Sequence, residues 1–190
     1  ELVRLPLIKY YEALKKYIRQ GNGLYITDWA SMDNSPRTPC LDKGGTSVDI
    51  SAEMVLFARN LSQLSSILGY GEEAKIFNEE ADSLAAIINA KMWDDEKKFY
   101  FDLTIDEEFC PVKTIGAFWT LVSKAATKEK AKYLAEQLKN PKTFGRLHPV
   151  PSLAADEKEY YPQGGYWSGA VWIAMNTMIV KGLVEYGYND

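Results

Sequence analysis

A chain of 190 residues, 46% hydrophobic and 25% charged, is long enough to bury one sizeable core and has the balance of an ordinary globular domain. Its net charge of -4 at pH 7, with no interleaving of basic and aromatic residues, argues against a phosphate-binding surface and so against a nucleic-acid partner. No apolar run approaches the ~18 residues of a membrane-spanning helix, so no membrane partner is expected.

The first segment, ELVRLPLIKYYEALKKYI, repeats Leu7, Tyr10, Tyr11, Leu14, Tyr17 and Ile18 at helical spacing and stops at Gly21. It reads as an amphipathic helix without the form of a signal peptide, and it begins without Met, as a fragment would. The compartment is left open, with the cytoplasm preferred. A long loop over 21–48 follows, containing TDWASMDNSPR, in which Pro36 stops any helix. The next helix is expected from Asp49, read as its N-cap, to Leu68, with Gly69 as terminator. A third opens on Glu72 and Glu73 and aligns Phe77, Ala81, Leu84 and Ile88 on one stripe. KKFYFDL, within a second loop over 93–113, reads as a short hairpin. Helices are expected at 114–125, 128–139 and 169–186, with a third loop over 140–168. Loops of this length are usually functional or disordered, and these are too rich in Trp and Tyr to be disordered. The fold class is therefore all-α, as stacked helical hairpins whose long loops gather at one end. Cys40 and Cys110 lack CxxC spacing, which argues against zinc or a redox motif and leaves their pairing open.

The chemistry follows from what is missing and what is concentrated. With 1 His, a mechanism that needs two imidazole bases is excluded within the chain, and there is no GxSxG elbow, P-loop or HExxH; no metal or cofactor is called for. Carboxylates remain as acid–base groups, and a glycosidic bond needs two of them: one to protonate the leaving oxygen, one to activate water. Asp33 is the candidate acid, in a non-helical loop near Trp29, whose apolar ring would keep a carboxyl protonated. The plain alternative is that Asp33 caps a turn with Asn34. Asp28 either binds sugar hydroxyls or pairs with Arg37. Gly164 and Gly165 allow tight turns before Tyr166 and Trp167, a candidate ligand wall, while Trp172, Met175, Asn176 and Ile179 share a helical face, where Asn176 is as well explained by joining helices. Lys113 precedes a helix, where a cation needs a fixed partner, either substrate or carboxylate. His148 stands in a rigid loop between Arg146 and two prolines, lining a cleft or making local hydrogen bonds.

Four ordered segments, DWASMDNSPR, VDISAEMVLFARNL, VKTIGAFW and TFGRLHPVPSLAADE running on to YYPQGGYWSGAVWIAMN, resemble glycoside hydrolase family 63 and its relatives, especially the mannosylglycerate-hydrolase-like and trehalase-like catalytic domains. The resemblance covers roughly residues 23 to 187. It implies an (α/α)6 barrel with its active site in the loops at one end, and an inverting hydrolase of α-linked glucosides or mannosides. Asp33 would then be the general acid, and Asp28, Trp29, Asn34, Arg37, Tyr166 and Trp167 the sugar subsite, joined by Lys113, His148 and Gln163. Two departures follow from the same resemblance: Ser168 stands where the family commonly has Arg, and the expected general-base Glu lies beyond Asp190. Residues 1–190 would thus form a partial catalytic domain, about half the barrel, lacking the C-terminal helices that carry the base. An incomplete barrel exposes apolar helix faces, which favour self-association. The competing reading is a non-catalytic carbohydrate-binding or scaffold half-barrel; a sugar epimerase is disfavoured because only His148 is available as an imidazole.

Overall fold

The computed structural model describes residues 2–27 and 32–189. Asp28 and Trp29 lie outside the described residues. Seven α-helices and one small hairpin are formed among the described residues: α1 (Arg4–Ile18), α2 (Thr38–Leu41), α3 (Val48–Ile67), α4 (Gly71–Lys91), β1 (Trp93–Asp94), β2 (Phe99–Tyr100), α5 (Trp119–Val122), α6 (Lys128–Lys139) and α7 (Ile173–Glu185).

The centre of the molecule is the α3–α4 pair. Met54, Val55, Ala58 and Leu61 on α3 and Phe77, Ala81, Leu84, Ala85 and Ile88 on α4 are buried at helical spacing, and the alanines let the two helices approach closely. Gly69 adopts φ 85°, the left-handed conformation that ends a helix, and the Tyr70 N–H closes back on the Ser65 carbonyl at 2.8 Å. On α1, Tyr11 meets Phe57 and Phe77 edge-on at 5.3 and 5.8 Å. Arg4 pairs with Glu73 and Lys15 with Glu80, both at 2.8 Å, tying α1 to α4. A second cluster of Phe99, Phe118 and Phe144 seats β2 and the turn before α5.

The expected helices appear with three changes of boundary. Ser47, not Asp49, is the residue before α3, and Asp49 lies in its first turn with its carboxylate turned inward. The stretch expected as one helix over 114–125 divides into a 3-10 turn, Ile115–Phe118, and the one-turn α5. The last helix begins at Ile173 rather than 169, because Gly169 sits at φ 148° and Val171 pairs with Pro151 in an extended bridge. The hairpin forms as a two-residue antiparallel pair, Trp93 opposite Tyr100 and Asp94 opposite Phe99.

The three long loops are sewn together by single bridges: Ile26 to Thr46, Thr46 to Leu103, Leu103 to Phe109, Thr114 to Leu153 and Pro151 to Val171. A disulfide joins Cys40 to Cys110. This lacing satisfies loop backbone groups that a helix would otherwise satisfy internally. At the far edge, α7 packs on α5 through Gly182, where an added Cβ would come within 2.7 Å of Leu121 Cβ and of Val122 N. Its other side leaves Ile173 83% and Val180 59% exposed. Among the described residues no helix is long and apolar enough to cross a membrane.

Candidate active site

The Asp33 turn begins with Met32, a non-glycine residue at φ 61° whose side chain is fully buried. That anchor lets the Ser35 N–H close on the Met32 carbonyl at 2.8 Å and leaves Asp33 and Asn34 exposed on the outside of the turn. Asn34 then clasps a second loop far along the chain. Its Nδ2 donates to the Gly165 carbonyl at 3.0 Å, and its Oδ1 accepts the Trp167 N–H at 2.9 Å. Ser168 adds a bond from its hydroxyl to the Asn34 carbonyl at 3.3 Å. Both ends of the carboxamide are thus engaged with protein.

The clasp brings Tyr166 over Asp33, and the phenol donates to Asp33 Oδ2 at 3.3 Å. Tyr166 sits at φ 60°, a left-handed conformation that costs a residue with a side chain about 1 kcal/mol or more. Its carbonyl is held by the Trp172 indole N–H and the Ala170 N–H, both at 3.3 Å, and by the Ser152 hydroxyl at 3.4 Å. Trp172 also stacks on Trp167, with centroids 4.5 Å apart and planes 11° from parallel, and meets Tyr166 edge-on at 5.2 Å. Trp172 therefore belongs to the aromatic wall rather than to the helical face expected for it. Trp172 and Ser152 are the components that sequence reasoning missed. A Trp immediately before a helix, with glycines upstream, was the available signal for the first; nothing local marked the second.

Beneath the turn lies a charged cluster that is closed to solvent. Arg37 is 1% exposed; its Nη2 pairs with Asp49 at 2.7 Å and its Nη1 with Asp102 at 3.3 Å. Asp102 Oδ1 also accepts the Val48 N–H at 2.8 Å, capping α3 from a distant loop. Burial pushes the Asp49 carboxyl up, but the charge and hydrogen bond of Arg37 outweigh it and hold Asp49 below the usual carboxylate range. Burial and the neighbouring Asp49 charge push Asp102 the other way. Gly116 covers the pair, with its missing Cβ only 3.2 Å from Asp49 Oδ2. Arg37, expected in the sugar subsite, is thus turned into the interior. One turn along α3, Glu53 is pushed up to about 7, first by burial and then by the Asp49 charge, against the pull of Arg37.

The remaining candidates make their contacts with residues other than Asp33. The Lys113 ammonium pairs with Asp156, and its backbone N–H donates to Glu157 Oε1 at 3.0 Å, so the partner expected for it is a carboxylate of the chain itself. Burial raises the Glu157 carboxyl above its usual range, with Asp156 and Glu159 adding to the shift. His148 and Gln163 are exposed and share a cleft of about 250 Å³ with Arg146, Tyr160 and Gly164. Asn176 does not join helices: its Nδ2 donates to the Pro149 carbonyl at 3.1 Å and its Oδ1 accepts the Val150 N–H at 3.3 Å, which fixes the loop below that cleft. Among the described residues there is no cluster of His, Cys, Asp or Glu that would hold a metal ion.

Known proteins resemble this chain in sequence and in fold. The family model of the mannosylglycerate hydrolase MGH1-like glycoside hydrolase domain matches residues 5–190. An uncharacterized protein of Borreliella burgdorferi is 30% identical over 185 residues, which are 96% of this chain and 38% of that protein. A mannosylglycerate hydrolase of Rubrobacter radiotolerans is 31% identical over 140 residues, 70% of this chain and 30% of its own. Among solved structures, the family 63 mannosylglycerate hydrolase of Thermus thermophilus in complex with glucose superposes with a TM-score of 0.81 at 23% identity, covering 99% of this chain and 56% of that one. The neutral trehalase Nth1 of Saccharomyces cerevisiae superposes at 0.64 and 19% identity over 76% of this chain and 28% of its own. This chain thus spans between 28% and 56% of the length of these four proteins, and the helical arc it forms is part of an (α/α)6 toroid. By the match along nearly its whole length, the chain belongs to the MGH1-like glycoside hydrolase family, related to family 63.

Proposed function

We propose that this chain is the acid-bearing part of an inverting glycoside hydrolase acting on an α-linked glucoside or mannoside. The observation that supports the reading is Asp33 itself: an exposed carboxyl group on a turn anchored by buried Met32, hydrogen-bonded at Oδ2 by the Tyr166 phenol, with Trp167 and Trp172 packed beside that tyrosine. With Oδ2 engaged, Oδ1 is the oxygen that delivers the proton to the glycosidic oxygen as the bond to the anomeric carbon breaks. Inversion needs a second carboxylate on the opposite face of the sugar, far enough away to admit water. We assign that base to a Glu outside residues 1–190, within the helices that would complete the toroid. Tyr166 and Trp167 offer ring faces to the sugar. Asn34 and Arg37 serve by fixing the turn, and His148 and Gln163 meet hydroxyls of the more distant part of the substrate. The names of the related mannosylglycerate hydrolases suggest an α-mannoside with a small acidic aglycone as the first compound to test.

The experiment is proton NMR of α-mannosylglycerate and α-linked disaccharides, incubated with the chain alone and with the longest form of the protein that can be made. First release of the β-anomer supports the reading; first release of the α-anomer overturns inversion. Asp33→Asn is expected to abolish nearly all turnover while leaving sugar affinity, read by calorimetry, within about 3-fold. Near-normal turnover of that variant would remove Asp33 from the acid's role. The stacked Trp167–Trp172 pair also favours a second reading, a carbohydrate-binding half-barrel without catalysis, which binding without product in the longest form would support.

A further inference from the structure

The Cys40–Cys110 disulfide joins residues 70 apart in the chain, and its two ends differ. Cys110 is fully buried, whereas Cys40 is partly exposed. Cys40 lies in α2, a helix of 4 residues with no side-chain cap, immediately after the turn that carries Asp33. A single helical turn has no stability of its own, so α2 stays in place because of what ties it down. On one side that tie is Arg37, paired with Asp49 and Asp102; on the other it is the disulfide, whose far end leads back through the Cys110 N–H to the Asp102 carbonyl at 2.8 Å. The disulfide and the ion-paired cluster therefore fasten the same two stretches together.

We propose that Cys40 is a modification site for low-molecular-weight thiols, and that exchange there loosens the Asp33 turn. A thiolate attacks the sulfur of the partly exposed Cys40, the bond to Cys110 breaks, and the Cys110 sulfur leaves with the electron pair and takes up a proton. Cys40 then bears a mixed disulfide. A second thiolate attacks the added sulfur, frees Cys40 as a thiol and departs as the reagent's own disulfide, so two thiols supply the two electrons. The Arg37 pairs and the close approach at Gly45, where an added Cβ would lie 2.5 Å from the Cys40 and Leu103 carbonyls, involve neither sulfur. The change is therefore local. An oxidising compartment keeps the turn fastened, and a reducing one releases it.

The inference rests on the proposed function only for its effect on turnover, and the test separates the two. The native chain is titrated with reduced glutathione and followed by intact mass, thiol count and amide hydrogen exchange. One glutathione adduct, then two free thiols per chain, is expected, with exchange over 33–41 rising about 10-fold or more while α3 and α4 stay protected. A Cys40→Ser, Cys110→Ser double variant should show the fast exchange from the start and ignore glutathione. Failure to release thiols without denaturant, or release with unchanged exchange over 33–41, would overturn the proposal. If exchange responds but the longest form of the protein that can be made turns over no glycoside in either state, the proposed function falls and this inference stands.

Discussion

Arg37 shows how a polar residue in a candidate binding loop can belong to the interior. Its guanidinium is closed off from water between Asp49 and Asp102, so replacing it by Met removes the only cation bonded to them among the described residues and leaves two buried carboxylates. Arg37→Met is expected to lower stability by about 3–5 kcal/mol in urea titrations. Glu53 supplies a pH test. Its carboxyl titrates near 4.5 in the unfolded chain and about 7 in the fold, so between those values the folded chain binds a proton that the unfolded chain has lost. The contribution is therefore fully present below pH 4.5 and lost as pH rises toward 7, by about 2–3 kcal/mol. Glu53→Gln should remove that slope and raise stability at pH 8 relative to pH 5, as read by denaturation at both pH values; an unchanged slope would mean that Glu53 is solvated in the fold.

The α5–α7 crossing depends on a single missing methyl group. With Gly182 opposite Leu121 and Val122, Gly182→Ala drives a Cβ to 2.7 Å from two atoms, one of them backbone. The helices must part, and a cost of about 1–3 kcal/mol is expected from overpacking, visible as a lowered midpoint in thermal denaturation. Because α7 follows directly on the Tyr166–Trp172 wall, the same variant should also weaken the sugar binding proposed for that wall, as read by calorimetry. The clasp works in the same way between loops: Asn34 bonds to the 165–168 turn across more than half the sequence, so the position of the wall and of Asp33 is a property of two loops together.

Taken whole, the molecule is an arc whose last helix keeps an apolar outer stripe. Ile173, Val180 and Val184 stand exposed along one side of α7. Burying such residues against another helix is favourable by about 25 cal/mol per Å². The purified chain is expected to show a weight-average mass that rises with concentration in sedimentation equilibrium, and the Val180→Lys, Val184→Lys double variant should hold it at the 21.5 kDa of the monomer. A monomer at all concentrations before mutation would mean that the stripe is too small to drive association.

The helices themselves were legible because their information is local. The apolar spacing of α1, α3, α4 and α6 and the stop at Gly69 need no knowledge of the rest of the chain, and the all-α class followed from them. The motif Asp33-Asn34-Ser35-Pro36-Arg37 was likewise conspicuous as residues, and the resemblance of four ordered segments, of which it is one, led to the correct family. What those side chains touch was not legible. A guanidinium and a carboxamide have the same donors whether they meet sugar or protein; only packing turned Arg37 inward to Asp49 and Asp102 and fastened Asn34 to Gly165 and Trp167. The break of the expected helix at Gly169, the recruitment of Trp172 to the wall and the pairing of Cys40 with Cys110 arise from contacts between distant segments. Periodicity reports which face of an element is apolar, whereas the partners of loop residues are set by tertiary contacts that no local pattern encodes.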